Sequence, residues 1–165
     1  MMEQQKNTTL EDILLVITPD GDVHEYRLNQ MKKSRITIGR GHDNEIMLES
    51  PCVSHDHGVL IMERGKVWYQ DLNSSNGTYV DALGNKKYLH QSSAVVELRD
   101  GMVLNIGGMG KENAVYLLYS LCLPSEGWKK ISINRKRLTM GRASGNDIVL
   151  AHPAISRTHA AIEPT

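Results

Sequence analysis

Four polar clusters between Gly39 and Thr78 fall at spacings that strand propensity and burial alone would not produce. They are Gly39-Arg40, Asn44-Glu45-Ile46-Met47-Leu48, Val53-Ser54-His55-Asp56-His57 and Ser74-Ser75-Asn76-Gly77-Thr78. A guanidinium, hydroxyls, a carboxamide and imidazoles are groups that act through charge and hydrogen bonds. Each cluster lies between short runs of β-formers, such as Arg35-Ile36-Thr37-Ile38, Val59-Leu60-Ile61-Met62 and Val67-Trp68-Tyr69. That places the clusters on loops at strand ends. Loops held by a rigid sheet are where binding chemistry collects.

The elements that must position these loops read as short strands. Residues 13–18 and 22–28 flank Pro19-Asp20-Gly21, whose proline sets φ and whose glycine permits a positive φ, and so predict a β-hairpin. Strands follow over 35–39, 45–48, 58–63, 66–71, 78–80, 86–88, 95–98 and 102–106, with turns at Arg64-Gly65, Gly84-Asn85 and Asp100-Gly101. No segment keeps an apolar period of 3.6, so no helix longer than a turn is expected. Many short strands at this spacing mean an all-β sandwich or barrel.

Composition sets the outer bounds. With 165 residues, 40% hydrophobic and 23% charged, the chain can bury one good core and part of a second. Nineteen basic residues balance nineteen acidic ones, leaving no global field to draw in nucleic acid or an anionic membrane. Cys52 and Cys122 stand far apart in unlike settings, which argues against a disulfide framework and fits a reducing compartment, the cytoplasm by default. Residues 1–11 read as a disordered polar tail, and the apolar piece 13–17 is far shorter than a signal-peptide core or a membrane span.

A repeat underlies the pattern. Residues 138–150, Leu-Thr-Met-Gly-Arg-Ala-Ser-Gly-Asn-Asp-Ile-Val-Leu, match 36–48 in register, and Ile155-Ser156-Arg157-Thr158-His159-Ala160-Ala161-Ile162 matches the stretch from Val53, at an offset of about 102 residues. Residues 128–133 then match the strand at 22–28. No counterpart of Ser75-Asn76-Gly77-Thr78 follows before Thr165, so the second unit reads as incomplete and the sequence as part of a longer protein.

Gly-Arg, Asn-Asp-Ile-x-Leu, Ser-Arg-x-His-Ala and Ser-x-Asn-Gly-Thr, in this order and spacing, resemble the forkhead-associated (FHA) domain family. The resemblance implies a phosphothreonine-reading, SMAD/FHA-like β-sandwich of about 11 short strands. Residues 12–121 resemble a whole domain and 122–165 the first half of another. By the same resemblance Arg40 and Ser54 would hold the phosphate, Asn76 would grip the ligand backbone beside it, and Ser75 and His55 would stand close by. Arg142, Ser156 and Arg157 would face phosphate in the second unit, where a working pocket needs the missing Asn-Gly-Thr loop. A phosphothreonine carries nearly two negative charges and three acceptor oxygens, which suits a fixed cation with neutral donors.

One departure stands out. Where the family often has a basic residue or an asparagine after the serine, the first unit has His55 and the second keeps Arg157. A histidine is mostly neutral at pH 7 and charges in mild acid, so weaker or more pH-sensitive binding by the first unit is expected. His57 and His159 read as structural ties within their loops, with ligand contact as the other option. Gly39, Gly77 and Gly141 read as serving backbone geometry. Taken alone, Arg40 could be a surface arginine, Ser54 a turn residue and Asn76-Gly77 a hairpin turn; the recurrence of the first two as Arg142 and Ser156 weighs against that.

A zinc site from Cys52, His55, His57 and His42 is the rival chemistry. It would be private to one repeat, since Ala154 and Arg157 replace Cys52 and His55. No nucleophile elbow or phosphate loop of the NTPase kind occurs, and Gly107-Gly108-Met109-Gly110 lacks the strand-to-helix setting of a dinucleotide loop, so no enzyme, metal or cofactor is expected. The expected partner is a phosphothreonine-containing protein or peptide made by a Ser/Thr kinase, with neither nucleic acid nor membrane. The alternative is a degenerate module with a phosphate-independent structural or assembly role, for example in a bacterial secretion or membrane complex. Only residues 114–123 are available both to close the first domain and to open the second.

Overall fold

A computed structural model of the chain describes residues 10–82, 84–90, 94–108, 110–122, 131, 133 and 137–163. It divides into two compact units, residues 1–127 and 128–165.

The first unit opens with β1 (Glu11–Ile17) and β2 (Val23–Arg27), joined by the expected turn. There Thr18 N–H donates to Asp22 O at 2.9 Å, and Gly21 takes φ +86°. A single 3-10 turn, Leu28–Met31, leads to β3 (Arg35–Gly39), β4 (Ile46–Met47), β5 (Gly58–Glu63) and β6 (Lys66–Asp71). Then come β7 (Thr78–Ala82), β8 (Asn85–Leu89), β9 (Val95–Glu97), β10 (Val103–Ile106) and β11 (Val115–Cys122). β1 takes up Glu11, which the sequence pattern assigned to the tail; residues 1–9 lie outside the described residues.

These strands form an all-β sandwich of the expected kind. One sheet runs β2-β1-β11-β10-β7-β8 and the other β4-β3-β5-β6-β9. Alternate side chains of each sheet point inward, so Leu14, Val16, Val80, Leu104, Ile106, Leu117 and Tyr119 meet Ile36, Ile38, Leu60, Val67 and Tyr69 in a single core. Ile13 and Leu15 point the other way and cluster with Leu118 and Cys122. β11 is hydrogen-bonded to β1 on one edge and β10 on the other, so Val115–Cys122 closes the first sandwich. Both cysteines are free thiols.

In the second unit β12 (Leu138–Gly141), β13 (Ile148–Val149) and β14 (Ala160–Ile162) form a sheet of order β13-β12-β14. It repeats the β4-β3-β5 arrangement strand for strand: Met140 pairs with Ile148 in parallel, as Ile38 does with Ile46, and Leu138 with Ile162 antiparallel, as Ile36 does with Leu60. Leu150 is 38% exposed where its counterpart Leu48 is 2% exposed. Among the described residues of the second unit no second layer covers the apolar side of this sheet. The strand expected over 128–133 and the turn at 124–127 fall mostly outside the described residues. Among the described residues no helix is long and apolar enough to cross a membrane.

Candidate functional site

The four polar clusters come together because the strand connections that carry them are cross-linked by hydrogen bonds. After β3 the chain turns at Gly39-Arg40, and Arg40 N–H and Gly41 N–H donate to the carbonyls of Ser54 and His55 at 2.8 and 3.0 Å. This brings the β3–β4 and β4–β5 connections side by side. A Cβ at Gly39 would run into the His55 carbonyl oxygen and Asn44 Nδ2, so only glycine allows so close an approach. Asn44 Nδ2 fastens the turn by donating to Gly41 O at 3.0 Å and His55 O at 2.8 Å.

Glu45 completes the turn from the other side. Its carboxylate accepts from Lys33 Nζ at 2.8 Å, Thr37 N–H at 2.7 Å and Thr37 Oγ1 at 2.6 Å. Those bonds, Lys33 first, hold its pKa down to about 2, because each favours the ionised form.

The β6–β7 connection is built on Asp71. Its buried carboxylate accepts from Ser74 N–H at 2.9 Å, Ser74 Oγ at 2.8 Å and Thr78 Oγ1 at 2.9 Å. Beside it the His57 ring is fully buried. Ser54 N–H donates to His57 Nδ1 at 3.1 Å, so Nε2 carries the ring proton and donates to Gly77 O at 3.2 Å. Burial lowers the His57 pKa, with Asp71 and the Gly77 carbonyl pulling weakly the other way. A neutral imidazole thus links the loop of Ser54 to the loop of Asn76, and Gly77 accommodates this at φ +68°.

Arg40, Ser54, Ser75 and Asn76 stand at the outer end of this frame. Arg40 spends only Nε, on Val53 O at 3.2 Å; among the described residues its terminal nitrogens have no protein partner. Ser54 Oγ accepts from Ser75 N–H at 2.9 Å and lies 3.4 Å from Ser75 Oγ. Its own proton is therefore held only weakly and can pass to an incoming acceptor. Asn76 Nδ2 donates to Cys52 O at 2.8 Å, while its Oδ1 accepts from Lys111 Nζ at 2.6 Å. Tyr88 Oη reaches Asn76 O at 3.2 Å from the neighbouring β8.

His55 stands apart from this set. Its ring is 64% exposed, lies against Gly41, and has Nδ1 3.3 Å from Asp56 Oδ2. With both ring nitrogens of His57 in use, the four residues of the zinc reading do not converge. Among the described residues no three His, Cys, Asp or Glu side chains gather as a metal site.

The second unit reproduces the Gly-Arg turn bond for bond. Arg142 N–H and Ala143 N–H donate to Ser156 O and Arg157 O at 2.9 and 3.0 Å, and Arg142 Nε to Ile155 O at 3.2 Å. Asn146 and Asp147 take the places of Asn44 and Glu45, and Ser156 N–H donates to His159 Nδ1 at 3.4 Å. A Cβ at Gly141 would meet Arg157 O at 2.5 Å. Arg142, Ser156, Arg157 and His159 are all exposed.

Sequence reasoning gave no role to Asn44, Glu45, Asp71 or Lys111. The recurrence of the first two as Asn146-Asp147 was a usable signal for a turn brace. Asp71 and Lys111 lie outside the repeated blocks at 36–48 and 53–60, and only the folded chain brings them to the site.

This sandwich brings polar side chains from three strand connections together. The sequence model of the FHA domain matches residues 36–107 and 138–165, and the chain belongs to that family. Among solved structures it is similar to the yeast Pml1 splicing factor, at 23% identity over 71% of this chain and 83% of that one, with a TM-score of 0.58. It is likewise similar to the FHA domain of a hypothetical protein of Arabidopsis thaliana, at 23% identity over 79% of this chain and all (100%) of that one, with a TM-score of 0.53. Both likenesses are of fold. No curated protein matches the chain.

Proposed function

We propose that residues 12–121 form a phosphothreonine-dependent protein interaction module, in which Arg40 and Ser54 hold the phosphate and Asn76 grips the ligand backbone. The observation that carries this reading is the convergence of Arg40, Ser54, Ser75 and Asn76 from three separate connections, with the Arg40 fork, among the described residues, giving a protein acceptor only its Nε. A guanidinium fork and a hydroxyl match a phosphate's charge and acceptor oxygens. The partner is a protein or peptide phosphorylated by a Ser/Thr kinase, and the module binds without chemistry of its own, in the cytoplasm. Arg142, Ser156 and Arg157 offer the same arginine and serine in the second unit.

The test is titration of the 165-residue chain with a degenerate phosphothreonine peptide pool and its dephosphorylated twin. Binding confined to the phosphorylated pool, weakened about tenfold or more by Arg40→Ala and little by Arg142→Ala, is the expected result. The second reading is a phosphate-independent structural role, favoured by the Asn76 carboxamide being bonded at both ends within the protein. Absence of binding to either pool selects it.

A further inference from the structure

We propose that Lys111 is a charge-reading residue of this site, selecting ligands that carry a carboxylate side chain next to the phosphothreonine. The proposal rests on the reading of Asn76 as the group that grips the ligand backbone. Lys111 lies in the connection from β10 to β11, far from the other site residues in sequence. Its position is fixed on both sides: Lys111 N–H donates to Gly108 O at 3.4 Å, Ala114 N–H donates to Lys111 O at 3.1 Å, and Ser50 Oγ donates to Asn113 O at 2.6 Å, tying this connection to the loop of Ser54. The ammonium is exposed, and its partner among the described residues is the neutral Asn76 Oδ1 at 2.6 Å.

An amide oxygen is a weaker partner for an ammonium than a carboxylate, so Lys111 can exchange it for an acidic side chain at little cost. The exchange also frees what Asn76 needs. The Asn76 NH2 keeps one hydrogen on Cys52 O and has a second to give to a ligand carbonyl, while its Oδ1, once released, accepts a ligand N–H. Neighbouring ligand residues are about 3.8 Å apart along the chain, so an aspartate or glutamate beside the phosphothreonine comes within reach of Nζ. Charge balance points the same way: with His55 turned to Asp56, Arg40 and Lys111 are, among the described residues, the cations joined to this constellation.

The experiment uses the full chain and a panel of phosphothreonine peptides bearing aspartate or its isostere asparagine at each position flanking the phosphothreonine. Wild type should prefer aspartate at one or two positions by about two- to fivefold, the range of an exposed ion pair, and lose that preference in high salt. Lys111→Met should abolish the preference while asparagine peptides bind as well as before or better, and Lys111→Arg should keep it. Equal binding of both peptide sets by wild type, or a preference that survives Lys111→Met, overturns the assignment of Lys111 and leaves the phosphothreonine reading standing. Failure of every phosphopeptide to bind overturns both.

Discussion

Replacing His57 by leucine tests the frame that joins the two halves of the site. Leucine is close to histidine in volume and accepts full burial, so the lost groups are the two ring nitrogens. The Ser54 N–H and the Gly77 carbonyl, now paired at 3.1 and 3.2 Å, would be left in a site where the residue they lean on is 0% exposed. An orphaned buried polar group costs about 1–3 kcal/mol, so the pair costs about 2–6 kcal/mol. With a urea m-value of about 1–3 kcal/mol/M, the midpoint should fall by at least about 0.7 M. Amide NMR signals of β5 and β6 followed through a urea titration report the first unit alone, which matters because a chain of two units need not unfold in one step. Phosphopeptide affinity should fall as well, since Ser54 and Asn76 lose their shared tie. Wild type carries a matching pH signature. Its His57 pKa is depressed in the fold, so the stabilisation is complete above the ordinary histidine value near 6.5 and shrinks as the pH falls below it. A midpoint for His57→Leu within about 0.3 M of wild type at pH 7.5 would refute the bridge as a stabilising element.

Two further outcomes follow from the same geometry. Glu45→Gln should cost about 1 kcal/mol or less at pH 7, because the carboxylate's bond to Lys33 is partly exposed, and urea midpoints of the two proteins should converge as the pH falls from 4.5 towards 2, where Glu45 takes up its proton. His55→Arg should tighten phosphothreonine peptide binding, since a guanidinium fork beside Ser54 adds a fixed cation that can pair with phosphate oxygens. Peptide affinities unchanged by the substitution would remove His55 from the site.

Strand alternation, turn glycines and the repeat made most of the fold legible in the sequence, because those signals are local. Pro19-Asp20-Gly21 and Arg64-Gly65 turn where their backbone preferences dictate, and residues 138–150 repeat 36–48 down to the bonds of Asn146 and Asp147. The same local signals marked Arg40, Ser54, Ser75 and Asn76 as candidates, and the fold brings the loops that carry the four together. Other features were decided by tertiary structure alone. Asp71 looked like the last residue of a strand; it is a buried carboxylate with three donors because the β6–β7 connection folds back over it. Nothing near His57 in sequence says that its ring reaches Gly77, or that His55, two residues earlier, turns outward to Asp56. Lys111 stands 35 residues from the asparagine it touches. Pairing of β10 with β7 in the six-stranded sheet brings them together, and no spacing along the chain encodes that register.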